Sequence, residues 1–95
     1  MSVSPTLRPE DRFEIDPLFR FQWEESQQAF VLCYPEGVVK LNETGGEILK
    51  RVAEGKNVAQ TVAELREHYH GADVEPGVRR FLEVSHDKGW IRAKA

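Results

Sequence analysis

The chain has 95 residues, 40% of them hydrophobic and 31% charged, which describes one small soluble domain with a single modest core. Its net charge of −3 weighs against broad phosphate neutralisation, and so against a general nucleic-acid binder. Cys33 is the only cysteine, which excludes an internal disulfide and suits a reducing compartment; with no run of about 18 apolar residues and no apolar signal core at the start, the expected location is cytoplasmic.

Residues 1–9 hold two prolines and two serines with little periodicity, and read as a loose arm. The expected division is therefore a flexible N-terminal arm over 1–11 and one domain over 12–95. Residues 12–17 alternate weakly, as an extended segment would. The first clear strand is 19–23, with Phe19, Phe21 and Trp23 on one face and Arg20 and Gln22 on the other. A polar loop of hairpin length follows over 24–28. Residues 30–34 are apolar on both faces, as in the middle strand of a meander covered on both sides. Pro35, Glu36 and Gly37 then reverse the chain into a third short strand, 38–41.

Three helices are predicted next. The first runs over 43–54 behind Asn42, a side chain suited to the unpaired amides of a first turn. Its Gly45-Gly46 pair costs helix stability on the order of 1 kcal/mol per glycine, which implies close approach by a strand or a neighbouring helix. The second helix starts after Asn57, with Gln60 placed for a capping box, and buries Val58, Val62, Leu65 and Tyr69 before Gly71 ends it. The third covers 75–88, with Pro76 in its first turn, Val78, Phe81, Leu82 and Ser85 inward, and Gly89 after its end. Trp90 and Ile91 follow as a closing segment, with Trp90 expected to be largely buried. Strands followed by helices give an α+β domain: a three-stranded antiparallel N-terminal sheet, then a three-helix bundle. The second and third helices, joined by a short glycine-containing turn, also look like a helix-turn-helix inside a winged-helix-like module.

Little here suggests chemistry. His68 and His70 are two apart at a helix end and point to different sides, and Cys33 lies in an apolar strand, so no metal site is expected. Ser26, Thr44, Thr61 and Ser85 lack a neighbouring base, Glu24-Glu25 falls in a hairpin loop, and Gly45-Gly46 lacks the context of a phosphate loop. No catalytic residue and no cofactor are expected. Arg79 and Arg80 would sit on the recognition helix of a winged-helix DNA binder, but Glu75, Glu83 and Asp87 on the same helix offset them. A short strand wired directly to a helix suits an extended peptide better, because an unpaired edge offers amides and carbonyls to an added strand.

The run from Tyr34 through Leu41-Asn42-Glu43-Thr44-Gly45-Gly46 to Leu49 resembles the PqqD family, the small peptide chaperones of pyrroloquinoline quinone (PQQ) biosynthesis. The resemblance continues through Glu54-Gly55, Val58, Val62, Glu64-Leu65, Tyr69, Val78, Phe81-Leu82 and Gly89-Trp90-Ile91, and reaches back to Phe21-Gln22-Trp23-Glu24-Glu25 and Val31-Leu32. It implies a recognition domain that performs no catalysis, binds the precursor peptide PqqA, and presents it to the radical SAM enzyme PqqE. It also implies a peptide added as a strand beside the third strand and packed toward the third helix. The expected peptide-binding residues are accordingly Val38, Val39, Lys40, Leu41, Val78, Arg79, Arg80, Phe81 and Leu82. Alternative readings are a recognition domain for a different ribosomally made peptide, and the winged-helix DNA binder that charge disfavours. A free edge also permits self-association, up to a homodimer that exchanges the N-terminal hairpin.

Overall fold

The computed structural model describes residues 7–94. Its elements in chain order are β1 (Phe13–Ile15), β2 (Arg20–Glu24), β3 (Ala29–Tyr34), β4 (Gly37–Lys40), α1 (Glu43–Ala53), α2 (Val58–His68), α3 (Glu75–Asp87) and β5 (Ile91–Ala93). The expected antiparallel sheet is present, with strand order β2-β3-β4. The hairpin turn at Pro35-Glu36 sets its register, bringing Tyr34 opposite Gly37 and Leu32 opposite Val39.

The alternation of β2 survives folding. Phe21 stacks on Phe30 with ring centroids 4.8 Å apart, Trp23 meets Phe30 edge-on at 5.0 Å, and Phe19 meets Tyr34 at 5.4 Å. These rings and Leu32 share the face that meets the helices. The middle strand is not sandwiched between two layers as expected. Val31, on the other face, is buried yet lies outside the core cluster, flanked in register by Gln22 and Lys40. Long side chains on either side can shield a small valine without a second layer.

The core joins Leu32 to Ile48 and Leu49 of α1, Leu65 of α2, and Val78 and Leu82 of α3. Asn42 caps α1 by accepting from the Gly45 amide at 2.7 Å, and Asn57 with Gln60 forms the expected capping box on α2. Arg51 bridges Glu47 on its own helix to Glu64 on α2, and Lys56 also reaches Glu64, tying the two helices together. The Lys56 hydrogen bond holds the Glu64 carboxyl below its usual range.

The Gly45-Gly46 pair is explained by two separate approaches. A Cβ on Gly45 would lie 2.8 Å from the Phe81 ring of α3, and one on Gly46 would lie 2.8 Å from the Phe30 ring and 3.2 Å from the Phe30 Cβ. Gly46 is thus the point where α1 rests on β3. Gly46→Ala is expected to cost about 1–3 kcal/mol by overpacking, measured as a lowered urea midpoint. An unchanged midpoint would show that α1 can lift away from the sheet.

Two features depart from the sequence reading. First, residues 13–15 and 91–93 form a second, two-stranded sheet, with Phe13 opposite Ala93 and Ile15 opposite Ile91. Residues 7–11 are packed rather than loose: Leu7 belongs to the core cluster, its carbonyl accepts from Arg79 at 2.8 Å, and the carbonyls of Pro9 and Asp11 accept from the first turn of α2. The rest of the expected arm, residues 1–6, lies outside the described residues. Second, Trp90 is half-buried, resting against Phe81 with centroids 6.4 Å apart, while Ile91 is the residue taken into the core, 2% exposed. Gly89, at φ +76°, turns the chain back so that the Trp90 amide donates to the Ser85 carbonyl, and the next residue points inward.

Candidate functional site

Strand β4 is an edge, since among the described residues its only strand neighbour is β3. Which of its backbone groups are free follows from one hydrogen bond and the register. The Leu41 amide donates to the Phe30 carbonyl at 3.0 Å, so Leu41 and Phe30 face each other as a hydrogen-bonded pair. In an antiparallel ladder such pairs alternate with non-bonded ones. Val39 opposite Leu32 and Gly37 opposite Tyr34 are therefore bonded pairs, whereas Val38 opposite Cys33 and Lys40 opposite Val31 are not. The N–H and C=O groups of Val38 and Lys40 consequently point away from the sheet, in the spacing that an added strand needs. Their side chains stand on the outer face, where Val38 is 58% exposed.

Two residues after Lys40, Asn42 begins the lining of a groove of about 370 Å³ between the first turn of α1 and α3. Asn42, Thr44 and Gly45 form one wall, and Val74, Gly77, Phe81 and Val84 form the other. Arg80 and Asp73 also line it. This apolar cleft with a charged rim continues from a free strand edge, which is the geometry of a site for an extended chain. Among the described residues, no group of three or more His, Cys, Asp and Glu side chains comes together as metal ligands would. No helix is long and apolar enough to cross a membrane among the described residues.

The nine expected site residues divide into three groups. Val38, Val39 and Lys40 form the edge, and Arg80 and Phe81 line the groove. Leu41 and Leu82 are buried core residues, 5% and 1% exposed, and Val78, 1% exposed, is a core residue that also lines the floor of the groove. Arg79 is turned to the back of α3, where it pairs with Glu75 at 3.0 Å and donates to the Leu7 carbonyl. Consecutive helix positions diverge by roughly 100°, which separates the two arginines. Among the groove-lining residues, the sequence reading missed Asn42, Thr44 and Gly45 on one wall and Asp73, Val74, Gly77 and Val84 on the other. The last three recur at helical spacing on one face of α3, but only the position of α1 shows that this face borders a groove.

Comparison with known proteins gives the family. A family model described as "Coenzyme PQQ synthesis protein D (PqqD)" matches residues 29–91. The chain belongs to the PqqD family. A "PqqA binding protein" of Methylococcus capsulatus is 42% identical over 87 residues, covering 92% of this chain and 94% of that protein. A second, from Azotobacter vinelandii, is 47% identical over 74 residues, covering 77% of this chain and 80% of its own length. The solution NMR structure of the PqqD truncation of Methylobacterium extorquens PqqCD, described as a stand-alone recognition element, is similar in fold. It superposes with a TM-score of 0.73 over 92% of this chain and 95% of that one, at 20% sequence identity. The family match starts at β3, so β1 and β2 lie before it; the Methylococcus relative extends the likeness over 92% of this chain.

Proposed function

We propose that this PqqD-family chain is a non-enzymatic, winged-helix-like recognition domain that binds the precursor peptide PqqA in the cytoplasm and presents it to the radical SAM enzyme PqqE. The observation that carries the reading is the free β4 edge, with the outward groups of Val38 and Lys40 leading into the groove beside α3. Two curated relatives bear the name "PqqA binding protein", which supplies the peptide. The peptide adds antiparallel or parallel to β4, its main chain satisfying the outward amides and carbonyls, while side chains from α3 select its sequence. The iron–sulfur chemistry belongs to the enzyme partner. The DNA-binding alternative draws little support from α3, because Arg79 is engaged at the back with Glu75 and the Leu7 carbonyl.

The test is titration of fluorescein-labelled PqqA, followed by anisotropy; absence of saturable binding would overturn the reading. The two arginines should then behave differently. Arg80→Glu is expected to weaken an acidic precursor by about tenfold at low salt and less at high salt, since it reverses an exposed charge beside the groove. Arg79→Glu is expected to show itself first as lowered thermal stability, because it breaks the contact to Leu7. Equal salt dependence for both variants would refute this assignment.

A further inference from the structure

Gly77 occupies the first turn of α3, where neither backbone geometry nor packing calls for glycine. Its φ lies outside the left-handed region, and a Cβ built on it meets no atom within 4 Å. Gly45 across the groove is the contrast, because a Cβ there would collide with the Phe81 ring at 2.8 Å and the Asn42 Oδ1 at 2.9 Å. Glycine weakens a helix relative to alanine, and at Gly77 nothing inside the fold offsets that loss. What the missing side chain leaves open is the groove itself, whose volume is about 370 Å³.

Val74, the N-cap of α3, and Phe81 and Val84 on one face of the helix give that space an apolar side, and Asp73 lies at its rim. Arg80 borders it and makes no salt bridge among the described residues. The opposite wall begins at Asn42, two positions after Lys40, the last residue of the free edge. On the strand-addition reading, a peptide that pairs with β4 and continues past Lys40 reaches the groove that Gly77 lines. Charge decides between occupants. A second copy of this chain pairing through its own β4 would bring Lys40 toward Arg80, whereas a carboxylate-bearing peptide complements it.

We infer that Gly77 is a specificity-determining residue: by presenting no side chain, it makes room for one bulky apolar side chain of the bound precursor, beside Phe81 and Val84, with Arg80 favouring an acidic residue next to it. This rests on the strand-addition reading above. The experiment titrates labelled PqqA into wild type, Gly77→Ala, Gly77→Trp and Lys40→Pro, with circular dichroism and melting temperature as folding controls. Each peptide position is truncated to alanine in turn. Gly77→Ala should bind within about threefold of wild type, and Gly77→Trp at least about tenfold more weakly, both with undiminished melting temperature. One large apolar peptide residue should cost wild type at least about tenfold when truncated and cost Gly77→Trp almost nothing, the mark of direct coupling. Wild-type affinity in folded Gly77→Trp, together with loss in Lys40→Pro, overturns the inference and leaves strand addition standing. Wild-type affinity in both variants overturns strand addition as well. Should Gly77→Trp melt early, Gly77→Leu carries the same comparison with less added volume.

Discussion

Lys40→Pro is expected to weaken peptide binding sharply and leave the domain folded, whereas Val39→Pro is expected to break the β3–β4 hairpin. The two positions are adjacent, and the difference is the direction of one N–H group. The Lys40 amide faces away from β3, so proline removes no ladder bond there, and edge positions with outward amides are where sheets tolerate proline. An incoming strand, however, loses a donor and meets the pyrrolidine ring. Leaving a buried acceptor unpaired costs about 1–3 kcal/mol, so with the steric term the affinity should fall by at least about thirtyfold. Val39 sits opposite Leu32 in a bonded pair, and proline there strips the β3 partner carbonyl of its donor inside the sheet. Its signature is lost strand signal by circular dichroism before any binding measurement is made. Lys40→Ala, which keeps the amide, should do modest harm. Anisotropy titration with PqqA decides the matter. A folded Lys40→Pro protein that binds like wild type would falsify strand addition at this edge.

The second large effect concerns closure of the domain. Ile91→Ala is expected to cost about 2–5 kcal/mol, in the range of large-to-small changes in a packed core. That is a major share of the roughly 5–15 kcal/mol that holds a small domain together. Ile91 is 2% exposed, belongs to the main core cluster and pairs with Ile15, so its loss loosens both the end of α3 and the β1 segment. Trp90→Ala should cost less despite the larger side chain, because Trp90 is only half-buried. Urea unfolding of the two variants ranks them. A larger loss for Trp90→Ala would show that the indole, rather than the β1–β5 pairing, closes the fold.

Much of this fold was legible before any coordinates. The three helices, the Asn42 and Asn57 caps and the central hairpin rest on local rules, namely apolar spacing, capping side chains and turn residues within a few positions of one another. The Gly45-Gly46 cost is also visible in sequence, which points to a strand or a helix in close approach, and the structure supplies both, Phe30 of β3 and Phe81 of α3. The site was legible where it is local: a short strand leading straight into a helix marks an edge, and the residues around it carry the family resemblance.

Other features depended on contacts between distant segments. Pairing of β1 with β5 joins the two ends of the chain, and strands of three residues carry too little pattern to announce a partner. The packing of Leu7 followed from the same closure, since a lone leucine among prolines has no periodicity until α2 and α3 supply a surface. Trp90 and Ile91 are adjacent apolar residues, and only the turn at Gly89 decided which one entered the core. Arg79 and Arg80 likewise look equivalent in sequence, and the roughly 100° step of a helix sent one to the Leu7 carbonyl and the other to the groove. By itself, then, the sequence determined the three helices, the family and the short strand that leads into α1, because neighbours along the chain specify them. The tertiary structure alone decided which backbone groups of that strand are free and which face of α3 they meet, because both depend on how segments far apart in the chain pack together.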